Sequence, residues 1–129
     1  MASIFTKIIS KEIPSHVVGE TEEFIAFLDI MPLRRGHVLV VPKKEVDYIF
    51  DMESHALGGM MIFAQSIAAK IKRAFPCNRI GVTVIGLEVP HAHVHLIPID
   101  SLADMDFTKA KMSLTTDELA HDAELILNS

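Results

Sequence analysis

Residues 91 to 99, HAHVHLIPI, carry histidine at every second position, His91, His93 and His95, with Ala92, Val94 and Leu96 between or after them. A stride of two is the stride of an extended chain, in which successive side chains point to opposite faces. The segment is therefore expected to form a strand with Ala92, Val94 and Leu96 against a core and the imidazoles together on the other face. At roughly 3.3 Å of rise per residue, neighbouring histidines stand about 6.6 Å apart. A group bound beside the strand can reach two of them. Three chemistries fit: a zinc site, a phosphate site, or a solvated strand face. For zinc, His91 and His93 form a good ligand pair, with His37 or Glu88 as third ligand.

The flanking sequence supplies a sheet for such a strand. SIFTKIIS suggests a short helical turn. Val17 and Val18 open a hairpin that turns through GETEE and returns from Phe24 to Leu28. GHVLVVPKK is a third strand, opened by Gly36 and closed by Pro42, which lacks a ladder donor. Residues 54 to about 75 read as the main helix. Leu57, Met60, Met61, Ala64, Ile67, Ala68, Ile71 and Phe75 recur at three-and-four spacing, Ala56, Phe63 and Ala74 widen that stripe, and Ile62 falls on the polar side. Pro76 stops the helix. RIGVTVIGLEV and HAHVHLIPI give two further strands. TTDE at 115 to 118 has the form of a capping box and starts a terminal helix carrying Leu119, Ala123, Ile126 and Leu127. The sum is an α+β fold: an antiparallel sheet of about five strands, a long central helix and a C-terminal helix, in one domain over residues 1–129.

Bulk properties narrow the function. The net charge of −5 and pI near 5.7 argue against a reader of DNA or RNA backbones. No apolar run approaches the roughly 20 residues that span a bilayer, and Lys7, Lys11 and Glu12 interrupt any signal-peptide core. A single cysteine, Cys77, fits a reducing cytoplasm. The mean hydropathy of +0.33, high for a small chain without a membrane span, points to a partner, most simply a second copy.

HAHVHLIP has the pattern His-φ-His-φ-His-φ-φ, φ being apolar, and resembles the signature of the histidine triad family. IFTKIISKEIPSHVV at 4–18, FIAFLDIMPLRRGHVLVVPKK at 24–44 and GLEVPHAHVHLIP at 86–98 resemble further segments of that family, in order. The resemblance covers residues 4–99; residues 100–129 form an extension with little family signal. It implies a nucleotide hydrolase or transferase that attacks the α-phosphorus of a nucleoside phosphoramidate or nucleotidyl adduct. By position His93 is the nucleophile, oriented by the carbonyl of His91. His95 donates to the phosphate, and His91 and His37 support the cluster. Asp29 matches the family's ribose ligand, and Ile30 and Phe5 flank the base, a purine. Gly86-Leu87-Glu88 stands where many members have Gly-Gln followed by Ser, Thr or Glu, so the Leu87 side chain brings no amide to the phosphate, while the Glu88 backbone N–H remains. A site furnished with histidine donors, and without a carboxylate pair suited to magnesium, is expected to need no metal or other cofactor; a homodimer is implied by the broad apolar stripe of the 54–75 helix together with the resemblance. Two alternatives stand beside it: a nucleotide-binding regulatory protein with little turnover, and a zinc hydrolase.

Overall fold

The computed structural model describes residues 2–129. In chain order the elements are α1 (Ile4–Ile9), β1 (Val17–Glu20), β2 (Phe24–Leu28), β3 (Val38–Pro42), α2 (Ser54–Ala74), β4 (Arg79–Thr83), β5 (Val94–Ile99) and α3 (Thr116–Leu127), with 3-10 turns at Ile49–Asp51 and Leu102–Met105. The strands form one five-stranded sheet in the order β1-β2-β3-β5-β4, each neighbouring pair antiparallel.

Residue parity sorts this sheet into two faces. Phe24, Ala26 and Leu28 of β2, Val38 and Val40 of β3, and Val94 and Leu96 of β5 pack with Met60, Ala64, Ile67 and Ile71 of α2 and with Leu119, Ala123 and Ile126 of α3. Ile25, Phe27, Leu39 and Val41 point the other way and meet Phe5 and Ile8 of α1. Strand geometry forces this alternation, and it carries Asp29, His37, His93 and His95 onto the α1 face.

Glu53 caps α2 by accepting from the backbone N–H groups of His55 and Ala56. The expected α2 stripe holds at Met60, Ala64, Ile67 and Ile71, while Met61 stays 41 % exposed and Ile62 70 % exposed. The Thr115–Glu118 capping box forms as expected at the start of α3. Leu127, read with Leu119, Ala123 and Ile126 as apolar residues of this helix, is exposed, while Asp122 on another side of the helix is buried. Arg35 makes the burial of Asp122 possible: its guanidinium donates twice to the Asp122 carboxylate, at 2.9 and 3.0 Å, and so neutralises it within the α3 packing.

Two expected strands are shorter than the sequence pattern. The strand expected from Arg79 to Val89 ends at Thr83, and the one expected from His91 begins at Val94. β3 ends at Pro42, which has no N–H for a longer ladder. The Ala92 N–H instead reaches Val46 O, and that of His91 reaches Val89 O. Residues 84–93 thus form a loop, turned at Gly86 with φ +80°. Among the described residues no helix is long and apolar enough to cross a membrane, and Cys77 is a free thiol.

Candidate functional site: a buried histidine chain beneath an open cleft

Three strands converge on the site. Asp29 follows β2, His37 precedes β3, and His95 sits in β5 opposite Leu39 of β3. Gly36 makes the entry to β3 possible: its φ is +93°, and a Cβ there would meet Phe75 Cδ2 at 2.8 Å. Asp29 and His37 are tied by the Asp29 N–H donating to His37 O at 3.0 Å.

The hydrogen bonds fix the tautomers of the rings. The Leu33 backbone N–H donates to His37 Nδ1 at 3.1 Å, so Nδ1 is unprotonated. In the neutral ring the proton is on Nε2, which lies 2.9 Å from His95 Nδ1 and donates to it. His95 then carries its own proton on Nε2, aimed away from His37. Burial, reinforced by neighbouring histidines and Lys111, pushes His37 down to about 3 and His95 down to about 4. Both rings are neutral at pH 7, and His95 is a fixed neutral donor.

The second relay runs through His91. His93 Nδ1 lies 2.7 Å from His91 O; a carbonyl only accepts, so Nδ1 carries a proton, and in the neutral ring Nε2 is the nitrogen with the lone pair. His91 Nε2 donates to Pro42 O at 2.7 Å, the carbonyl left over where β3 ends. His91 Nδ1 lies 2.8 Å from Ser3 Oγ and accepts its hydroxyl proton. Glu45 Oε1 accepts from the Ser3 N–H at 2.7 Å and from the Thr6 hydroxyl at 2.6 Å. These donors hold the Glu45 carboxyl down at about 2. Burial lowers the His91 pKa, so its ring too is neutral.

Above the rings lies a cleft of about 450 Å³. Of the expected site residues, Phe5, Asp29, Ile30, Leu87, Glu88, His93 and His95 line it. His37 and His91 do not; they stand behind the lining, 1 % and 0 % exposed. Phe5 is both core and wall, its ring edge-on to His93 at 4.9 Å. Asp29 Oδ1 accepts the Met31 N–H at 2.9 Å, which closes the turn after β2, and Oδ2 lies 3.7 Å from His37 Nε2. Burial raises the Asp29 pKa. A hollow of about 570 Å³ at the far end of β2 and β3, between Glu22, Lys43, Lys44 and Glu53, contains no histidine.

The expectation that His91 and His93 pair as zinc ligands fails on this geometry. Both His91 nitrogens are bonded to Pro42 and Ser3, and the ligand atoms that come within 4.8 Å of one another belong to Asp29, His37 and His95. Even there, a metal would have to displace the His37–His95 hydrogen bond. The alternative of a solvated strand face fails as well, because no triad histidine is more than 7 % exposed.

Ser3, Glu45, Phe107, Thr108 and Lys111 are site residues that sequence reasoning did not find. Ser3 left one trace, an N-cap position before IFTKII, where its side chain accepts from Thr6 N. The others lie far along the chain from the histidines and leave no pattern.

Comparison with known proteins places this geometry in a family. A HIT domain family model matches residues 10–102. The chain belongs to the HIT family. An uncharacterized HIT-like protein of Methanocaldococcus jannaschii is 38 % identical over 74 % of this chain and 77 % of its own. The adenosine 5'-monophosphoramidase of Saccharomyces cerevisiae is 38 % identical over 75 % of this chain and 62 % of its own. A solved Hit-like protein involved in cell-cycle regulation from Bartonella henselae superposes with a TM-score of 0.86 at 34 % identity, covering 98 % of this chain and 94 % of that one. The α+β architecture expected from the sequence is the HIT fold.

Proposed function

We propose that this HIT protein is a nucleotide hydrolase or transferase that acts at the α-phosphate of purine nucleoside phosphoramidates or related nucleotidyl adducts. The observation that carries the reading is the hydrogen bond from His93 Nδ1 to His91 O, which leaves the Nε2 lone pair of His93 facing the cleft. His93 Nε2 attacks phosphorus and forms an N–P bond. The bond from phosphorus to the leaving group breaks, and its electron pair departs with that group, which takes a proton from solvent. Water then attacks phosphorus and gives up a proton to solvent, the N–P electron pair returns to Nε2, and the nucleotide is released. The His95 Nε2–H donates to a phosphoryl oxygen throughout. His37 supports it as the proton donor to His95 Nδ1. In this reading Asp29 Oδ2 accepts from the ribose hydroxyls, and Phe5 and Ile30 flank the base. The relative named as an adenosine 5'-monophosphoramidase supports this substrate class.

The experiment is a panel of nucleoside phosphoramidates and dinucleoside polyphosphates, tested with chelator present. Hydrolysis that persists in EDTA is expected, since the histidine donors are engaged with one another and with backbone. Activity that disappears in EDTA and returns with a divalent ion contradicts the metal-free part of the reading.

A second reading, a nucleotide-binding regulatory protein with little turnover, draws on Leu87. Its side chain is 88 % exposed and brings no hydrogen-bond donor to the rim. Tight nucleotide binding without turnover on the whole panel would select that reading.

We further propose a homodimer in a reducing cytoplasm. Edge strand β4 exposes Val82 at 50 %, and α2 exposes Met61 and Ile62; association buries this surface. Light scattering near 29 kDa is expected, twice the 14.3 kDa chain; a mass near 14.3 kDa at micromolar concentration contradicts it.

A further inference from the structure

The wall of the cleft extends past the span that the family model matches. That span ends at residue 102, yet Phe107, Thr108 and Lys111 line the same cleft as His93 and His95. A strap, residues 106–111, carries them, and it is tied down along its length. Asp106 Oδ1 accepts from the Thr108 N–H at 2.9 Å and from its hydroxyl at 2.6 Å. Phe107 lies edge-on to His95, ring centres 4.8 Å apart. Just beyond the strap, the Met112 N–H donates to Pro32 O at 2.8 Å and Leu114 packs against the core. Lys111 is thus delivered to the cleft by fixed backbone.

The charge balance says what it is for. The lining contains two carboxylates, Asp29 and Glu88, and one lysine or arginine among the described residues, Lys111. Among the described residues no ion pair or side-chain hydrogen bond holds the Lys111 ammonium there. It lies close enough to press down the pKa values of Asp29, His37 and His95. His95, which alone of the His37–His95 pair has an N–H free for a ligand, is neutral, so it donates a hydrogen bond to an anion without neutralising it. A phosphate entering beside two carboxylates needs a cation, and Lys111 is the one the fold supplies.

We propose that Lys111 is a phosphate-binding residue of this site, its ammonium contacting a non-bridging oxygen of the phosphoryl group seated between His93 and His95. The strap then makes the cleft prefer a nucleoside monophosphate unit over the bare nucleoside. This rests on the nucleotide reading above.

Calorimetry with AMP, and displacement of AMP by adenosine, tests it on full-length wild type, Lys111→Met, Lys111→Arg and Lys109→Met at one ionic strength. Lys109 is an exposed residue of the same strap that donates to Ala103 O, so its loss removes the same charge from outside the cleft. Lys111→Met is expected to weaken AMP by about tenfold or more and to leave adenosine within about twofold. Lys111→Arg recovers most of the loss, and Lys109→Met binds as wild type. If Lys111→Met binds AMP as tightly as wild type, or weakens adenosine in parallel, the proposal is overturned while the nucleotide reading stands. If wild type binds neither ligand, the nucleotide reading falls and this proposal with it.

Discussion

The histidines at the floor of the cleft are at most 7 % exposed, and every one of their inward nitrogens has a partner; on the rim, Leu87 is 88 % exposed and Ile30 62 %. The floor is held by strand parity and by hydrogen bonds whose loss would strand buried polar atoms. The rim is carried by the 84–93 loop, the turn after β2 and the 106–111 strap. Such elements accept substitution without disturbing the sheet. On the proposed function the two regions divide the work accordingly: reactivity is set below, by which nitrogen of each imidazole bears the proton, and selectivity above, by loops.

Removing the ring of His93 attacks the floor most directly. His93→Ala is expected to retain AMP binding while turnover falls by several orders of magnitude, since no other lone pair replaces Nε2. Steady-state rates beside a binding isotherm check it. His95→Ala should cost less, about 10²–10³ in kcat, the value of one oxyanion donor. An equal loss in both variants would mean that the two rings act as one unit.

Ser3→Ala probes the floor through its support. It leaves the buried Nδ1 of His91 without its donor, at a cost of about 1–3 kcal/mol in unfolding free energy, read by urea denaturation. Acid tests the same neutrality. The His37 and His95 pKa values, pushed down to about 3 and about 4, lie below the ordinary 6.5. Below pH 6.5 the unfolded chain therefore takes up protons that the folded chain refuses. Stability is whole above that pH and declines towards pH 4, by about 1.4 kcal/mol per pH unit for each such histidine. A denaturation midpoint that is flat from pH 7 to pH 5 would contradict the neutral assignment. On the rim, Leu87→Ala should alter AMP affinity by no more than about twofold, because so exposed a side chain has little area to lose.

Much of the floor was legible in the sequence because alternation is a strong signal. Ala92, Val94 and Leu96 are buried on the helix side, and the three histidines lie together on the other. The capping box at Thr115 and Glu118 and the α2 stripe were legible for the same reason: each is a local pattern with one geometric solution. The start of β5 was not, because it depends on Pro42, about 50 residues away in sequence, ending the partner ladder. Nor was the burial of Asp122 in the packing of α3, which depends on Arg35. Ser3, Glu45 and Lys111 reach the histidines only through tertiary contacts, and no periodicity announces them.

The account stands on the free lone pair of His93, and a rapidly quenched reaction tests it most directly. Wild type mixed with a nucleoside phosphoramidate, quenched in base, digested and mapped by mass spectrometry should show one nucleotide on His93, stable in base and labile in acid as a phosphoramidate bond is. The same adduct should be absent from His93→Ala. An adduct on Cys77 or another residue, or full turnover by His93→Ala, would contradict the account.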